Sequence, residues 1–207
     1  MALRLPAGVE LYFSRHGETV ANVEHRFSGK LDTPLTANGR AQAKRVGEIL
    51  LEELGPKPKL HFVSSPLQRA RATMEIIRGV LELPRDGYAI DERITEIDLG
   101  DWDELTAAEA RALDPAAFDA RMADKWNVHV PGGGENYKEV AARAQSWIAD
   151  LHEDTFAVSH GAFTRILRGL FAGLDWKAMS DLDEPQGCVF RVMDDRVSRL
   201  DVATKRP

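Results

Sequence analysis

The 207-residue chain carries 27 basic and 33 acidic side chains, a net charge of −6 that excludes a general nucleic-acid or anionic-membrane surface. Its length supports a core without disulfides or a structural metal, and the one cysteine, Cys188 beside Val189 and Phe190, reads as a buried thiol kept in a reducing cytoplasm. Residues 1–6 lack the apolar stretch of a signal peptide, and residues 162–174 are interrupted by Arg165 and Arg168, so neither a leader nor a membrane span is expected.

Residues 9–14 are a β-prone run that ends at Arg15; residues 60–64 and 155–159 are two more, and each is followed by a helical pattern. From Thr36, an N-cap, apolar residues recur at Val46, Ile49, Leu50 and Leu54 until Gly55-Pro56 stops the helix. Pro66 opens a second helix through Met74, Ile77 and Leu81 to a stop near Pro84. Thr106 with Glu109, and Asn136 with Glu139, are capping-box pairs that start two more, the latter striped with Val140, Trp147, Ile148 and Leu151. Residues 162–174 make a further helix, and the runs 188–193 and 197–202 flank Asp194-Asp195-Arg196 as a hairpin. There is no internal repeat. Strands alternating with helices predict an α/β chain, a three-layer α/β/α sandwich with a mixed, mostly parallel central sheet, folded as a single domain over residues 1–207.

Ligands of open α/β sheets bind beyond the carboxyl ends of strands. Three polar motifs fall there: Arg15-His16-Gly17, Ser64-Ser65-Pro66 with Arg69 just after, and Ser159-His160-Gly161. A lone His-Gly is ordinarily a turn histidine, but two of them with two strand-end arginines point to one anion-binding crevice, each glycine allowing close approach to the imidazole.

These residues resemble the histidine phosphatase superfamily, which includes the cofactor-dependent phosphoglycerate mutases. The likeness runs in order through Arg15-His16-Gly17-Glu18-Thr19 with Asn22, Phe27-Ser28-Gly29, Asp32-Thr33-Pro34-Leu35-Thr36, Gly39, Gln42-Ala43 and Ser64-Ser65-Pro66-Leu67-Gln68-Arg69-Ala70 with Thr73. It continues through Glu92-Arg93, Glu96-Ile97, Gly100-Asp101-Trp102, Pro131-Gly132-Gly133 with Glu135, and Val158-Ser159-His160-Gly161.

The resemblance implies a metal-independent phosphatase that hydrolyses phosphate monoesters through a phosphohistidine on His16, with no cofactor and a small-molecule phosphate ester as its partner. A neutral imidazole is a good nucleophile, and a hydrogen bond from its other nitrogen to backbone would fix the tautomer. Arg15 and Arg69 would clamp the phosphoryl oxygens, and His160, protonated or donating, would complete the cage. Arg71 lies two residues along the helix on nearly the opposite side, so it and Arg78 read as solvated charges. Glu96 is the implied proton donor, with Glu18 the next candidate. Asn22 supplies a donor to substrate or caps a turn. Ser28, Gly29 and Gly161, with Phe27, fall on the implied substrate rim, whereas Trp102 reads as packing. Residues 131–135 are either a substrate-side lid or anion nest, or only the approach to the helix capped by Asn136. His25, His61, His129 and His152 have no ligand spacing, so no metal site is expected.

Mutases of this kind carry a longer, arginine-bearing insertion over the pocket. Here residues 103–134 hold six acids against three bases, a net −3 expected to repel a substrate bearing both phosphate and carboxylate, which favours a phosphatase over a mutase or a non-catalytic binding module. The chain reads Gly100-Asp101-Trp102-Asp103-Glu104 where many of these phosphatases have Gly-Asp-Trp-Glu-Gly, and Gly-Gly-Gly-Glu-Asn where Gly-Gly-Glu-Ser is usual, so the substrate itself is left open. The sequence sets no oligomeric state.

Overall fold

The computed structural model describes residues 3–201. Its first strand, β1 (Leu11–Arg15), is apolar on both faces: Leu11 and Phe13 point into one core cluster, Tyr12 into another. The same division holds along β4 (Thr155–Ser159), where Ala157 joins the first cluster while Phe156 and Val158 join the second. A sheet buried on both sides needs helices on both sides.

In chain order, β1 is followed by α1 (Val20–Val23), α2 (Ala37–Leu54), β2 (His61–Ser64), α3 (Gln68–Val80) and β3 (Ala89–Ile90), then by 3-10 turns at Glu92–Ile94 and Gly100–Trp102. Next come α4 (Ala107–Leu113), α5 (Pro115–Ala123), α6 (Tyr137–Ala149), β4, α7 (Gly161–Phe171), α8 (Trp176–Ser180), β5 (Val189–Met193) and β6 (Arg196–Leu200). Helices α2 and α3 cover one face through Val46, Leu50, Met74 and Ile77, and α6 and α7 cover the other through Val140, Trp147, Phe163 and Ile166. The strands run in the order β3-β2-β4-β1-β5-β6, the first four parallel and β5 and β6 antiparallel, which is the expected mixed sandwich.

Local chemistry sets the element ends. Thr36 caps α2 by accepting from the Gly39 amide, and Gly55 closes it with φ 77°. Both expected capping boxes form. The hairpin turns on Asp194 and Asp195 alone, both at positive φ, with Arg196 already in β6 opposite Met193; the expected extension to Val202 lies outside the described residues. The helix expected from Pro66 starts at Gln68, where the Asp32 carboxylate accepts from the Gln68 and Arg69 amides.

Register then brings the three motifs together. Arg15 is opposite Ser159 and Ser64 opposite Val158, so β1, β4 and β2 end nearly level. Above these ends sits a cap of α4, α5 and the turns around them, packed on its own small cluster of Trp102, Ala110 and Val130. Among the described residues, no helix is long and apolar enough to cross a membrane.

Candidate active site

His16 emerges from β1 with its backbone amide bonded to the Ser159 carbonyl at 2.9 Å. Its ring Nδ1 lies 2.8 Å from the Gly17 carbonyl, an acceptor only, so Nδ1 carries the proton and Nε2 keeps its lone pair. Burial, reinforced by the charges of Arg15 and Arg69, holds the imidazole well below the usual histidine range. It is neutral at pH 7. Gly17 is required for a different contact from the one expected: a Cβ there would stand 2.2 Å from the Gly39 carbonyl oxygen, so it serves the docking of α2 rather than access to the imidazole.

A cavity of about 320 Å3 opens beside this ring, lined in part by Arg15, His16, Asn22, Ser28 and Glu96. Arg15 donates through Nη1 to the Glu184 carbonyl at 2.8 Å, and its Nε is buried with no acceptor. Glu96 accepts from the Ile97 amide at 3.0 Å. Burial, with the neighbouring Glu184 carboxylate, pushes its carboxyl above the usual range, although that amide, Arg69 and Arg15 pull the other way. The competing acid, Glu18, is engaged by the Thr36 hydroxyl at 2.7 Å and by Asn38 at 3.1 Å, and it does not line the cavity. Asn22 takes the capping role, its Oδ1 accepting from the Thr19 amide and from Gln186, and it also lines the cavity.

Arg69 and His160 lie behind this wall, 1% and 0% exposed. Instead of reaching into the cavity as a clamp, the Arg69 fork donates to the carbonyls of Ser28 (2.8 Å), Gly29 (3.1 Å) and Leu31 (2.7 Å), approaches Asp32 at 3.4 Å, and through Nε meets His160 Nδ1 at 3.3 Å. Every N–H it has is engaged, so direct contact with a phosphoryl oxygen requires exchange of one of these bonds. His160 is thereby an acceptor at Nδ1, with Nε2 2.6 Å from the Ser65 hydroxyl; burial and the adjacent arginines and His16 hold it neutral rather than protonated. Its ring centroid is 5.1 Å from that of His16.

The loop that Arg69 holds is gripped from its other side by Asp103, which accepts from the amides of Gly29, Lys30 and Leu31. This is where the chain departs from the familiar Gly-Asp-Trp-Glu-Gly pattern. Gly29 faces that carboxylate and not the cavity, and a Cβ on it would be 2.9 Å from the Ile97 carbonyl oxygen. Gly161 opens α7 and makes room for Glu184, whose Oε2 would be 2.4 Å from an added Cβ. Arg71 is exposed as expected, but Arg78 is buried over the Phe62 ring at 4.8 Å, with its fork on the carbonyls of Pro84 and Asp86. Trp102 packs between Phe27 and Phe118, and Cys188 is buried. Residues 131–135 dock on the turn below them, the Asp101 amide donating to the Pro131 carbonyl and Glu135 pairing with Arg143, and none of the five lines the cavity.

Seven further polar residues at the cavity or its wall escaped the sequence reading: Arg26, Glu184, Gln186, Tyr137, Arg121, Lys125 and Arg165. Gln186 ties the His16 carbonyl to Asn22. Arg165 had a usable signal, a charge one turn past His160-Gly161 in a helix whose one other charge is Arg168. Arg121 and Lys125 had none. Among the described residues no cluster of three or more His, Cys, Asp or Glu side chains could hold a metal ion.

An imidazole held neutral beside surplus guanidinium donors suits the transfer of a phosphoryl group from an ester, and its place above three level strand ends puts the chain among the α/β phosphohydrolases. The chain belongs to the histidine phosphatase superfamily (branch 1), whose family model matches residues 11–198. It is 37% identical over 166 residues to phosphoglycerate mutase-like protein 4 of Arabidopsis thaliana, which covers 76% of this chain and 69% of that protein. It is 40% identical over 144 residues to glucosyl-3-phosphoglycerate phosphatase of Mycobacterium tuberculosis, covering 68% of this chain but only 59% of that protein. Among solved structures, the α-ribazole phosphatase of Shigella flexneri superimposes with a TM-score of 0.78 at 26% identity, over 92% of this chain and 94% of that one.

Proposed function

We propose that residues 1–207 act as one histidine phosphatase domain that hydrolyses a small-molecule phosphate monoester through a phosphohistidine on His16, without a metal, in the cytoplasm and without nucleic acid or membrane as partner. The observation that carries this reading is the tautomer of His16: with Nδ1 bonded to the Gly17 carbonyl, the Nε2 lone pair is the free nucleophile at a cavity edged by Arg15 and Glu96. In the first step Nε2 attacks phosphorus, the ester P–O bond breaks, and the leaving alkoxide takes the proton of Glu96. Water then attacks phosphorus, giving its proton to the Glu96 carboxylate while the P–N pair returns to Nε2. Arg15 donates to the equatorial oxygens throughout, and Arg69 acts by its charge and by holding the 28–32 loop.

Two relatives name the competing reactions, a phosphatase and a mutase-like protein. The expectation that an acidic cover separates them does not hold, because Arg121 and Lys125 of that cover turn toward the cavity while its acids face elsewhere. The phosphatase reading therefore stands on the relatives and on the nucleophile.

The test is hydrolysis of an aryl phosphate in chelator by wild type, His16→Ala and Glu96→Gln. His16→Ala should lose at least about a thousandfold in kcat, and Glu96→Gln should accumulate acid-labile, alkali-stable phosphorus on the protein. Undiminished turnover by His16→Ala would refute the mechanism. Phosphate transfer within a phosphoglycerate faster than phosphate release would make the enzyme a mutase.

A further inference from the structure

Five of the six buried side-chain nitrogens that have no hydrogen-bond acceptor among the described residues belong to residues lining one cavity: Arg15 Nε, Trp102 Nε1, Arg121 Nε, Arg121 Nη1 and Arg165 Nε. Buried donors are paired as a rule, and an unpaired guanidinium is the costliest kind to leave so. Only Arg15 of these adjoins His16. Phosphate at His16 therefore accounts for one guanidinium and leaves the others.

Arg121 is 3% exposed, projects from the last turn of α5, and lies 5.1 Å over the Tyr137 ring. That stacking steadies the cation but gives its N–H groups no acceptor. Arg165, one turn into α7, donates to the Tyr137 hydroxyl at 3.0 Å and pairs with Glu184 at 3.1 Å. Lys125 borders the same space, and among the described residues neither it nor Arg121 has a carboxylate at ion-pair distance. Burial and the two guanidiniums hold the Lys125 ammonium below its ordinary range, as expected of like charges gathered in one place. On a chain with net charge −6, a cavity lined by five cations, Arg15, Arg26, Arg121, Lys125 and Arg165, against the two carboxyl groups of Glu96 and Glu184 is a local reversal of sign.

We propose that Arg121, Lys125 and Arg165 form a second anion subsite in the cavity, so that the preferred substrate is a small phosphate ester bearing another oxyanion, carboxylate or phosphate, at its far end. This rests on the reading that the ester phosphate sits against His16 and Arg15. Arg121 donates to the second oxyanion from a nitrogen that has no other acceptor, Lys125 adds a point charge, and the Tyr137–Arg165 pair closes the side.

The experiment compares substrates that differ only in the distal charge. Glycerol 3-phosphate against 3-phosphoglycerate tests a carboxylate, and fructose 6-phosphate against fructose 1,6-bisphosphate tests a phosphate. The wild type should prefer the doubly anionic member of at least one pair by about tenfold or more in kcat/KM, the scale of one charge-assisted hydrogen bond, and the pair that shows it identifies the group. Arg121→Met and Lys125→Met should bring that ratio toward unity. Lys125 is only half-buried, so its variant carries the test if Arg121→Met fails to fold in a thermal melt. Binding of 3-phosphonopropionate against propylphosphonate, neither of which can be hydrolysed, reads the subsite without turnover. Hydrolysis with no preference in either pair and equal phosphonate affinities would overturn the subsite while leaving the phosphatase. Preference that survives both substitutions would overturn the assignment to these residues. Tight phosphonopropionate binding with no hydrolysis of any ester would sustain the subsite and overturn the phosphatase.

Discussion

Arg69→Lys separates two roles that a strand-end arginine can have, phosphate clamp and loop tie. The substitution keeps the charge but loses the planar fork. Arg69 reaches the carbonyls of Ser28, Gly29 and Leu31 at 2.7 to 3.1 Å and His160 at 3.3 Å, while an ammonium on a single stem cannot satisfy carbonyls on both arms. At least two charge-assisted bonds are lost at about 1.5 kcal/mol each, a destabilisation of roughly 3 kcal/mol. With a urea m-value of about 2 kcal/mol/M, the unfolding midpoint should fall by about 1.5 M. Equilibrium urea unfolding by far-ultraviolet dichroism reads this directly, and exposed Arg71→Lys is the control, expected to shift it by less than about 0.3 M. A midpoint for Arg69→Lys as steady as the control's, together with weakened vanadate binding, would show that the fork serves the anion and that the loop is held without it.

Two further outcomes follow from the same geometry. His16 and His160 are neutral when folded with pKa values held well below 6.5, so the unfolded chain binds more protons below that pH; stability rises with pH there and is lost on acidification, by about 1.4 kcal/mol per pH unit for each histidine. Glu96, raised above its ordinary value, works in the opposite sense above pH 4.5, so the slope is read from urea midpoints at pH 7.0 and 5.5 in Glu96→Gln; adding His160→Asn should halve it, and a flat profile would mean charged imidazoles in the fold. Gly17→Ala drives a Cβ to 2.2 Å from the Gly39 carbonyl oxygen, backbone against backbone, and should cost about 3 kcal/mol, whereas Gly161→Ala meets the end of the Glu184 side chain, which can turn aside at the expense of its pairing with Arg165, and should cost about 1 kcal/mol; equal midpoints for the two would refute the close docking of α2.

The parts of this molecule that could be read from the sequence are those decided within a few residues. Thr106 and Glu109 cap one another across a single turn, and β1 ends where its apolar run meets Arg15; neither depends on distant chain. The roles of Arg69 and of the cap could not be read, because their partners are backbone carbonyls and faces that only tertiary structure assigns. Counting charge over residues 103–134 gives −3, yet Asp103 grips the 28–32 amides, Glu109 and Asp114 cap helices, Asp119 pairs with Arg111, and Asp124 holds the Asn127 turn. A net charge sums over both faces of a cap, whereas a substrate meets only one. The short elements, α1, β3 and α8, lack the length over which periodicity becomes visible.

Glu184 explains how so many cations share one cavity in a folded protein. Its backbone carbonyl accepts from Arg15, its Oε2 lies 3.8 Å from the same guanidinium, and its Oε1 lies 3.1 Å from Arg165, so one residue offsets the charge at both ends. Gly161 is the condition for this arrangement, since any side chain there would occupy the space of that carboxylate. An arriving anion can exchange with Glu184 as the partner of either guanidinium instead of meeting bare charge, which lowers the desolvation that binding costs. The same carboxylate is the largest electrostatic cause, after burial, of the raised Glu96 carboxyl, so the residue that balances the cations also strengthens the hold of the acid on its proton. Because α7 carries both Gly161 and Arg165, and Glu184 bonds to Arg15 on β1, the end of the cavity beside His16 and the end beside Arg165 are held together through one residue.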